Sequence, residues 1–253
     1  MLPDGLHVVQ TEGVLAFAAP EVEAWVHAAL TRGVHLYEAA KEQAEALLEG
    51  RVPVPVVRTP RGRWVVRRYH RGGLVAAPLL RDRYLRVGLA RPLREAGASH
   101  EARRRGIATP RVMAGAVYPS GPIYRADLVT EYVAGGGDLA RALFHDDLTG
   151  GERIQILRCV GALVARAAAA GIEHADLNAK NVLLDWSAGG PMPLLLDLDR
   201  CRVLPPGVRG DPTPMVARLT RSLHKHAERS GRGIGQGELT VLLESAGVAG
   251  SAA

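Results

Sequence analysis

Cysteine is nearly absent. Cys159 and Cys201 are the only two in 253 residues, too few for a disulfide framework, so a reducing compartment is the default. Lysine is almost as rare: Lys41, Lys180 and Lys225 are the only three among 32 basic residues. Aromatics make up 4% of the chain and do not alternate with its arginines, which argues against a stacking platform for single strands; nucleic acid is not expected as a partner. No stretch reaches the roughly 18 uncharged apolar residues of a spanning helix, and the best candidate, VGALVARAAAAGI, contains Arg166. The start, MLPDGLHVVQTEG, has neither a basic opening nor an apolar run, so no signal peptide is expected. Paired-Cys spacings, a zinc-protease signature and internal repeats are missing too. HKH at His224–His226 reads as a solvated helix face rather than a metal clip.

What is present is an ordinary globular composition, 47% apolar and 23% charged, long enough for one large domain or two small lobes. The net charge of +6 is unevenly placed. Between Arg58 and Arg111 stand fifteen arginines against Asp82, Glu95 and Glu101. This predicts a positive surface facing phosphates or an anionic membrane.

Periodicity gives the elements. Residues 20–49 read as helical, with Val22, Trp25, Val26, Ala29 and Leu30 on one face and a stop at Gly50. VPVPVVRT and WVVRRY then read as strands joined at PRGR, and RPLREAGASHEARRRG as a helix ending at Gly106. RVMAGAVY and YRADLVTEYV add two strands. The prediction is a small antiparallel sheet with one inserted helix, residues 1–133, in an α+β chain. The Gly-rich AGGGD at Ala134–Asp138 is the expected hinge to a mainly helical lobe, 134–253. There, Ile154, Leu157, Val160, Leu163, Val164 and Ala167 form a core-facing helical stripe. Gly171 ends that helix, NVLLDW and LLLDLD make a β-hairpin, and PMVARLTRSLHKHAE is a late helix.

Between that first helix and the hairpin lies GIEHADLNAKNVLLDW, residues 171–186, crowded with polar groups in an apolar setting. Buried polar groups need partners, so the stretch reads as a polar functional loop held between packed elements. Phosphoryl transfer uses this layout: a carboxylate takes the acceptor's proton, oxygen ligands hold magnesium on the nucleotide phosphates, and cations clamp those phosphates. HADLNAKN matches His-x-Asp-Leu-x-x-x-Asn, and Asp197 follows sixteen residues after Asn181. Asp176 is therefore the expected base, with Asn181 and Asp197 as magnesium ligands and ATP as donor.

In VVRRYHRGGL, RPLREA, GIATPRV, HADLNAKNVLLD, LLLDLDRCR and RLTRSLHK, from about residue 45 to 228, the sequence resembles the lipopolysaccharide kinases of the protein-kinase-like superfamily, the Kdo (3-deoxy-D-manno-octulosonic acid) kinases in particular. The resemblance implies a bilobal protein-kinase-like fold and an ATP- and Mg2+-dependent enzyme that phosphorylates a hydroxyl of Kdo in the lipid A inner core. It also implies a place on the cytoplasmic face of the inner membrane, with Kdo-lipid A or a related anionic glycolipid as substrate. The chain departs from the superfamily in three ways. GRVPVPVV stands where a phosphate-covering loop is expected, placing Gly50 and Arg51 there with two stiff prolines behind them. Arg67 replaces the third-strand Lys, keeping the charge with a planar, bidentate geometry. Leu198-Asp199 replaces the Phe-Gly after the metal Asp.

Several residues carry two readings. Glu95 is the expected partner of Arg67, against a surface pair with Arg91. Arg68 should face the opposite way from Arg67 and matter little. Lys180 either neutralises the transferring phosphate or is a surface charge. Asp199 either supports the metal or pairs with Arg200. His174 and Asn178 read as loop organisers and Asp185 as a turn former. Backbone groups of Glu131 and Val133 are expected to meet adenine. Two other functions share parts of this pattern. A soluble aminoglycoside- or choline-type phosphotransferase has the same Asp and Asn loop, but a basic lobe repels a cationic acceptor. An inactive nucleotide-binding protein would account for the missing glycines and Lys, but not for an intact Asp176, Asn181 and Asp197.

Overall fold

A computed structural model describes residues 2–48, 52–70 and 82–248. The chain divides into two compact units, Met1–His100 with Arg111–Tyr132, and Glu101–Pro110 with Val133–Ala253.

The first unit is built on one antiparallel sheet. In chain order its elements are β1 (His7–Val9), β2 (Leu15–Ala18), α1 (Glu23–Thr31), α2 (Leu36–Glu42), β3 (Ala44–Leu48), β4 (Val54–Thr59), β5 (Gly62–Arg68), β6 (Tyr84–Leu85), α3 (Arg91–Arg104), β7 (Val112–Ser120) and β8 (Ile123–Glu131). The strands run β1-β2-β7-β8-β5-β4-β3, with β6 also on β8. The sheet is thus wider than the sequence predicts, and residues 20–49 are not one helical region. Gly33, in the left-handed conformation at φ 71°, separates α1 from α2. Ala44–Leu48 is a strand because β4 offers it a ladder, from Ala44 opposite Val57 to Leu48 opposite Val54. Pairing outweighs the helical preference of an Ala- and Glu-rich stretch. The predicted helix face does enter the core: Val22, Val26, Ala29 and Leu30 pack with Val57, Val66, Met113 and Val129, and Trp25 packs at the edge.

β5 carries Arg67 and Arg68 to opposite faces. Arg68 is no minor surface residue. Its guanidinium donates to Asp127 Oδ1 at 3.2 Å and to Glu38 Oε1 at 2.9 Å, and it lies over the Tyr37 ring. Asp127 is wholly buried and also accepts from Tyr37 N–H at 2.9 Å and Tyr118 OH at 3.0 Å. Burial pushes its carboxyl pKa up, and Arg68 pulls it back toward the charged form. Arg68→Ala strands that carboxylate in the core. Breaking one side of such a pair costs about 3–5 kcal/mol, so a large fall in melting temperature is expected. An unchanged melting curve would show that the pair contributes nothing to the fold.

In the second unit the order is β9 (Gly137–Asp138), α4 (Leu139–Phe144), α5 (Gly150–Ala169), β10 (Ile172–His174), β11 (Val182–Asp185), β12 (Met192–Leu195), β13 (Cys201–Val203), α6 (Thr213–Ser230) and α7 (Gln236–Ser245). A capping box between Thr149 and Glu152 starts α5. Its buried stripe is Ile156, Leu157, Val160, Leu163, Val164 and Ala167; Ile154 is only half-buried. Gly161 lets α7 approach, since a Cβ there would sit 2.5 Å from the Leu242 carbonyl. The Gly-rich stretch belongs to this unit: Gly137 and Asp138 pair with β11, and Asp138 caps α4 through Arg141 N–H at 2.8 Å. Residues 101–110 cluster here too, although the sequence places them in the first lobe. Leu195 N–H donates to Ala108 O at 2.9 Å, and Arg105 donates to Ala170 O at 2.8 Å, bonds between segments that local pattern cannot pair.

Candidate active site

The polar stretch becomes a scaffold of short elements. Gly171 turns the chain out of α5 in the left-handed conformation, φ 71°, where a Cβ would lie 2.5 Å from Val208 O; only glycine fits both demands. β10 then pairs with β13, His174 opposite Cys201. A 3-10 turn at Ala179–Asn181 leads into β11, which pairs with β12 from Val182 opposite Leu195 to Asp185 opposite Met192. Leu196 N–H donates to Asn181 O at 2.9 Å, extending that ladder one step. This register sets Asn181 beside the residue that precedes Asp197.

His174 ties the two strands of the site together. It is 1% exposed. Its Nδ1 accepts from Asp176 N–H at 3.2 Å, so Nε2 carries the proton and donates to Leu196 O at 2.8 Å. Burial pushes its pKa down, against the opposing pull of the Leu196 carbonyl and of the Asp197, Asp176 and Asp199 carboxylates. A neutral ring thus holds the backbone of Asp176 and the carbonyl next to Asp197. His174 is a positioning residue, as its place in the motif suggested.

The loop is closed by its own amides. Asn178 donates to Asp176 O at 3.0 Å and accepts from Lys180 N–H at 3.0 Å. Asn181 Nδ2 donates to the same Asp176 carbonyl at 3.0 Å, which leaves its Oδ1 without a partner among the described residues. Leu177 and Ala179 anchor the loop in the core. The Asp176 carboxylate itself is half-exposed, with Arg200 Nη1 at 3.7 Å. Lys180 is exposed, and Asp185 accepts from Ser187 N–H at 2.8 Å as a turn former.

Asp197 has φ 59° and ψ 57°, the only positive φ outside glycine among the described residues. That region is sparsely populated outside glycine, and Asp is among the residues that enter it most readily. Asp197 and Asn181 Oδ1 are hard oxygen donors, the kind that would hold a magnesium ion. Asp199, two residues on, is 4% exposed.

The first unit holds the phosphate-clamp candidates. Arg67 pairs with Glu95, and Tyr69 OH donates to Glu95 Oε2 at 2.6 Å. Glu95 is 4% exposed, so the alternative of a surface pair with Arg91 does not describe it. Tyr69 goes unnamed in the sequence reading; the signal that could have found it is its spacing, two residues after Arg67, which in extended chain puts both on one side. Glu131 Oε1 accepts from Arg111 N–H at 2.7 Å, and Val133 O accepts from Gly136 N–H at 3.3 Å. Gly50 and Arg51 lie outside the described residues.

Two supports had no local signal. Ser222 of α6 accepts from Ala179 N–H at 3.1 Å, and the Met215 sulfur accepts from His174 N–H at 3.2 Å. Both come from about forty residues downstream.

The sequence profile of the lipopolysaccharide kinase (Kdo/WaaP) family matches residues 37–232. The chain belongs to that family. A 3-deoxy-D-manno-octulosonic acid kinase of Xanthomonas oryzae is 37% identical over 181 residues, 70% of this chain and 69% of its own. One of Xylella fastidiosa is 34% identical over 193 residues, 75% and 74% of the two chains. A solved structure of WaaP in complex with acyl carrier protein superposes with a TM-score of 0.55 at 16% identity, over 95% of this chain and 88% of that one. The fold is the protein-kinase-like α+β fold, and this lipopolysaccharide kinase is a phosphotransferase acting on a sugar hydroxyl.

Proposed function

We propose that the chain transfers the γ-phosphoryl group of ATP to a hydroxyl of Kdo on lipid A, with Asp176 as base and with Asn181 and Asp197 as the magnesium ligands. The observation that carries this assignment is the His174 tie, which fixes the Asp176 backbone and the carbonyl before Asp197 on one neutral ring. Asp176 accepts the acceptor's hydroxyl proton as its oxygen attacks phosphorus. Magnesium, when bound, neutralises charge on the phosphates. Asn181 and Asp197 orient that charge, and Lys180, exposed on the same loop, faces the transferring group. Arg67, held by Glu95 and Tyr69, clamps phosphate oxygens. The Val133 N–H, which has no partner among the described residues, and the backbone of Glu131 serve the adenine. Gly50 and Arg51 remain the candidates for phosphate contact from the preceding loop.

The acceptor sits in a membrane, and among the described residues no helix is long and apolar enough to cross one. In this reading the enzyme meets its acceptor at the cytoplasmic face of the inner membrane. The arginine excess between residues 58 and 111 serves this less than the count suggests. Arg58, Arg63, Arg68 and Arg111 are paired by Glu45, Glu38, Asp127 and Glu21 from outside that segment. What supports a surface contact is a smaller patch: Leu85, Val87 and Leu89 are 61%, 82% and 57% exposed, beside Arg83 and Arg86, which form no ion pair among the described residues. Arg81 lies outside them. Such a mixed patch suits an anionic lipid surface.

The test is purified protein with labelled ATP, magnesium and Kdo-lipid A in anionic vesicles. Label should pass to the glycolipid only with magnesium present, and the protein should sediment with the vesicles at low salt and release as salt rises. ATP consumption without labelled lipid would overturn the acceptor assignment; salt-independent sedimentation would overturn the electrostatic contact.

A further inference from the structure

α6 has a second face that catalysis leaves unused. Met215, Val216, Leu219 and Leu223 bury one side of the helix. On the other, Arg218, Arg221, Lys225 and Arg229 are all exposed, and none forms an ion pair among the described residues. Glu228 is the only carboxylate on the helix, and it pairs with none of them. At about 100° per residue, Arg218, Ser222, Lys225 and Arg229 fall on one stripe, spaced i, i+4, i+7 and i+11, with Arg221 at its edge. Ser222 is the residue whose Oγ accepts from Ala179 N–H of the catalytic loop at 3.1 Å. The cations therefore flank the point where the loop rests on the helix. Lys180 of that loop extends the positive field: besides burial, its charge holds the His226 imidazole pKa down.

Four like charges clustered on one side of a helix cost the fold self-repulsion. Elsewhere the chain answers such charges with carboxylates, as Glu45 does for Arg58 and Arg63. Here no carboxylate among the described residues answers them. We propose that Arg218, Arg221, Lys225 and Arg229 are the docking stripe for the anionic groups of the acceptor, a sugar lipid bearing carboxylate and phosphate groups. The inference rests on the glycolipid reading above and adds to it the residues that select the acceptor. The stripe spans about 16 Å at 1.5 Å per residue, the reach of several sugar units. Guanidinium groups grip carboxylate and phosphate in a bidentate way that a neutral sugar cannot match.

The test is binding, independent of turnover. The variant Arg218→Gln, Arg221→Gln, Lys225→Gln, Arg229→Gln keeps good helix formers on solvent-facing positions, and its melting temperature should match that of the parent. Both proteins are titrated with zwitterionic vesicles carrying Kdo-lipid A, and with equally charged phosphatidylglycerol vesicles lacking it. The variant should bind the Kdo-lipid A vesicles about tenfold or more weakly at low salt, with the gap closing as salt rises. Its affinity for phosphatidylglycerol vesicles and for magnesium-ATP should be unchanged. Replacing the three arginines by Lys should restore only part of the binding, since an ammonium keeps the charge but not the bidentate grip. Equal affinity of variant and parent for Kdo-lipid A overturns the proposal, and so does an equal loss on phosphatidylglycerol, which would make the stripe a general membrane contact. A parent that binds Kdo-lipid A through this stripe but never phosphorylates it would sink the kinase assignment and leave the stripe standing.

Discussion

Asp176→Asn is expected to abolish phosphoryl transfer while leaving magnesium-ATP binding nearly intact. The substitution is close to isosteric, and the folded loop does not depend on the carboxylate. The loop's own bonds run through the Asp176 backbone, whose carbonyl accepts from Asn178 and Asn181 and whose N–H donates to His174. The side chain is half-exposed, with Arg200 at 3.7 Å as a loose partner, an arrangement worth little to stability. What the amide loses is the capacity to take a proton. General-base catalysis contributes about 10²–10⁴-fold, so kcat should fall by that factor with an unchanged melting temperature and nucleotide Kd. If the variant retained most of its activity, the base would lie elsewhere; if it lost nucleotide affinity, Asp176 would belong to the metal set.

Much of this site was legible because its logic is local. HADLNAKN carries its spacing in eight residues and the hairpin after it is plain, but its register is not: Val182–Leu184 and Leu194–Leu196 are unbroken apolar runs, and the pairing itself sets Asn181 beside Leu196. The Arg67–Glu95 pair needed one further step, strand alternation matched to a helix start. What escaped was held by distant chain. Ala44–Leu48 is rich in helix formers and became a strand only because β4 lay open to it. Ser222 and Met215, which hold the catalytic loop from α6, carry no mark in their own neighbourhood. Arg68 shows the limit of counting charges along a segment: its partners Glu38 and Asp127 stand outside the arginine-rich stretch, so a residue that looked dispensable is a buried tie. The positive lobe is smaller than its arginine count for the same reason, since several of its arginines are neutralised from outside.

Asp197→Asn is expected to cost both transfer and magnesium-dependent nucleotide affinity, a pattern different from Asp176→Asn. The choice of Asn matters because Asp197 sits at φ 59°. Asn enters the left-handed region more readily than most residues, so the backbone conformation survives and the change isolates charge. Gly would relax the strain as well and confound the result. The neutral amide keeps one oxygen donor but loses the anion that attracts a strongly hydrated cation. Outer partners of metal ligands alone are worth about 10–100-fold in affinity or activity, so loss of a direct ligand's charge should cost at least about 100-fold in magnesium-dependent turnover. Nucleotide binding measured without magnesium should be unchanged or slightly tighter, since a negative charge facing the phosphates has been removed. His174 gives a second readout. The Asp197 carboxylate is one of the groups opposing the burial that holds its pKa down, so in Asp197→Asn the imidazole should titrate lower still by NMR. A variant with full magnesium-dependent affinity would move the metal to other oxygens, and the strained backbone at Asp197 would then need another explanation.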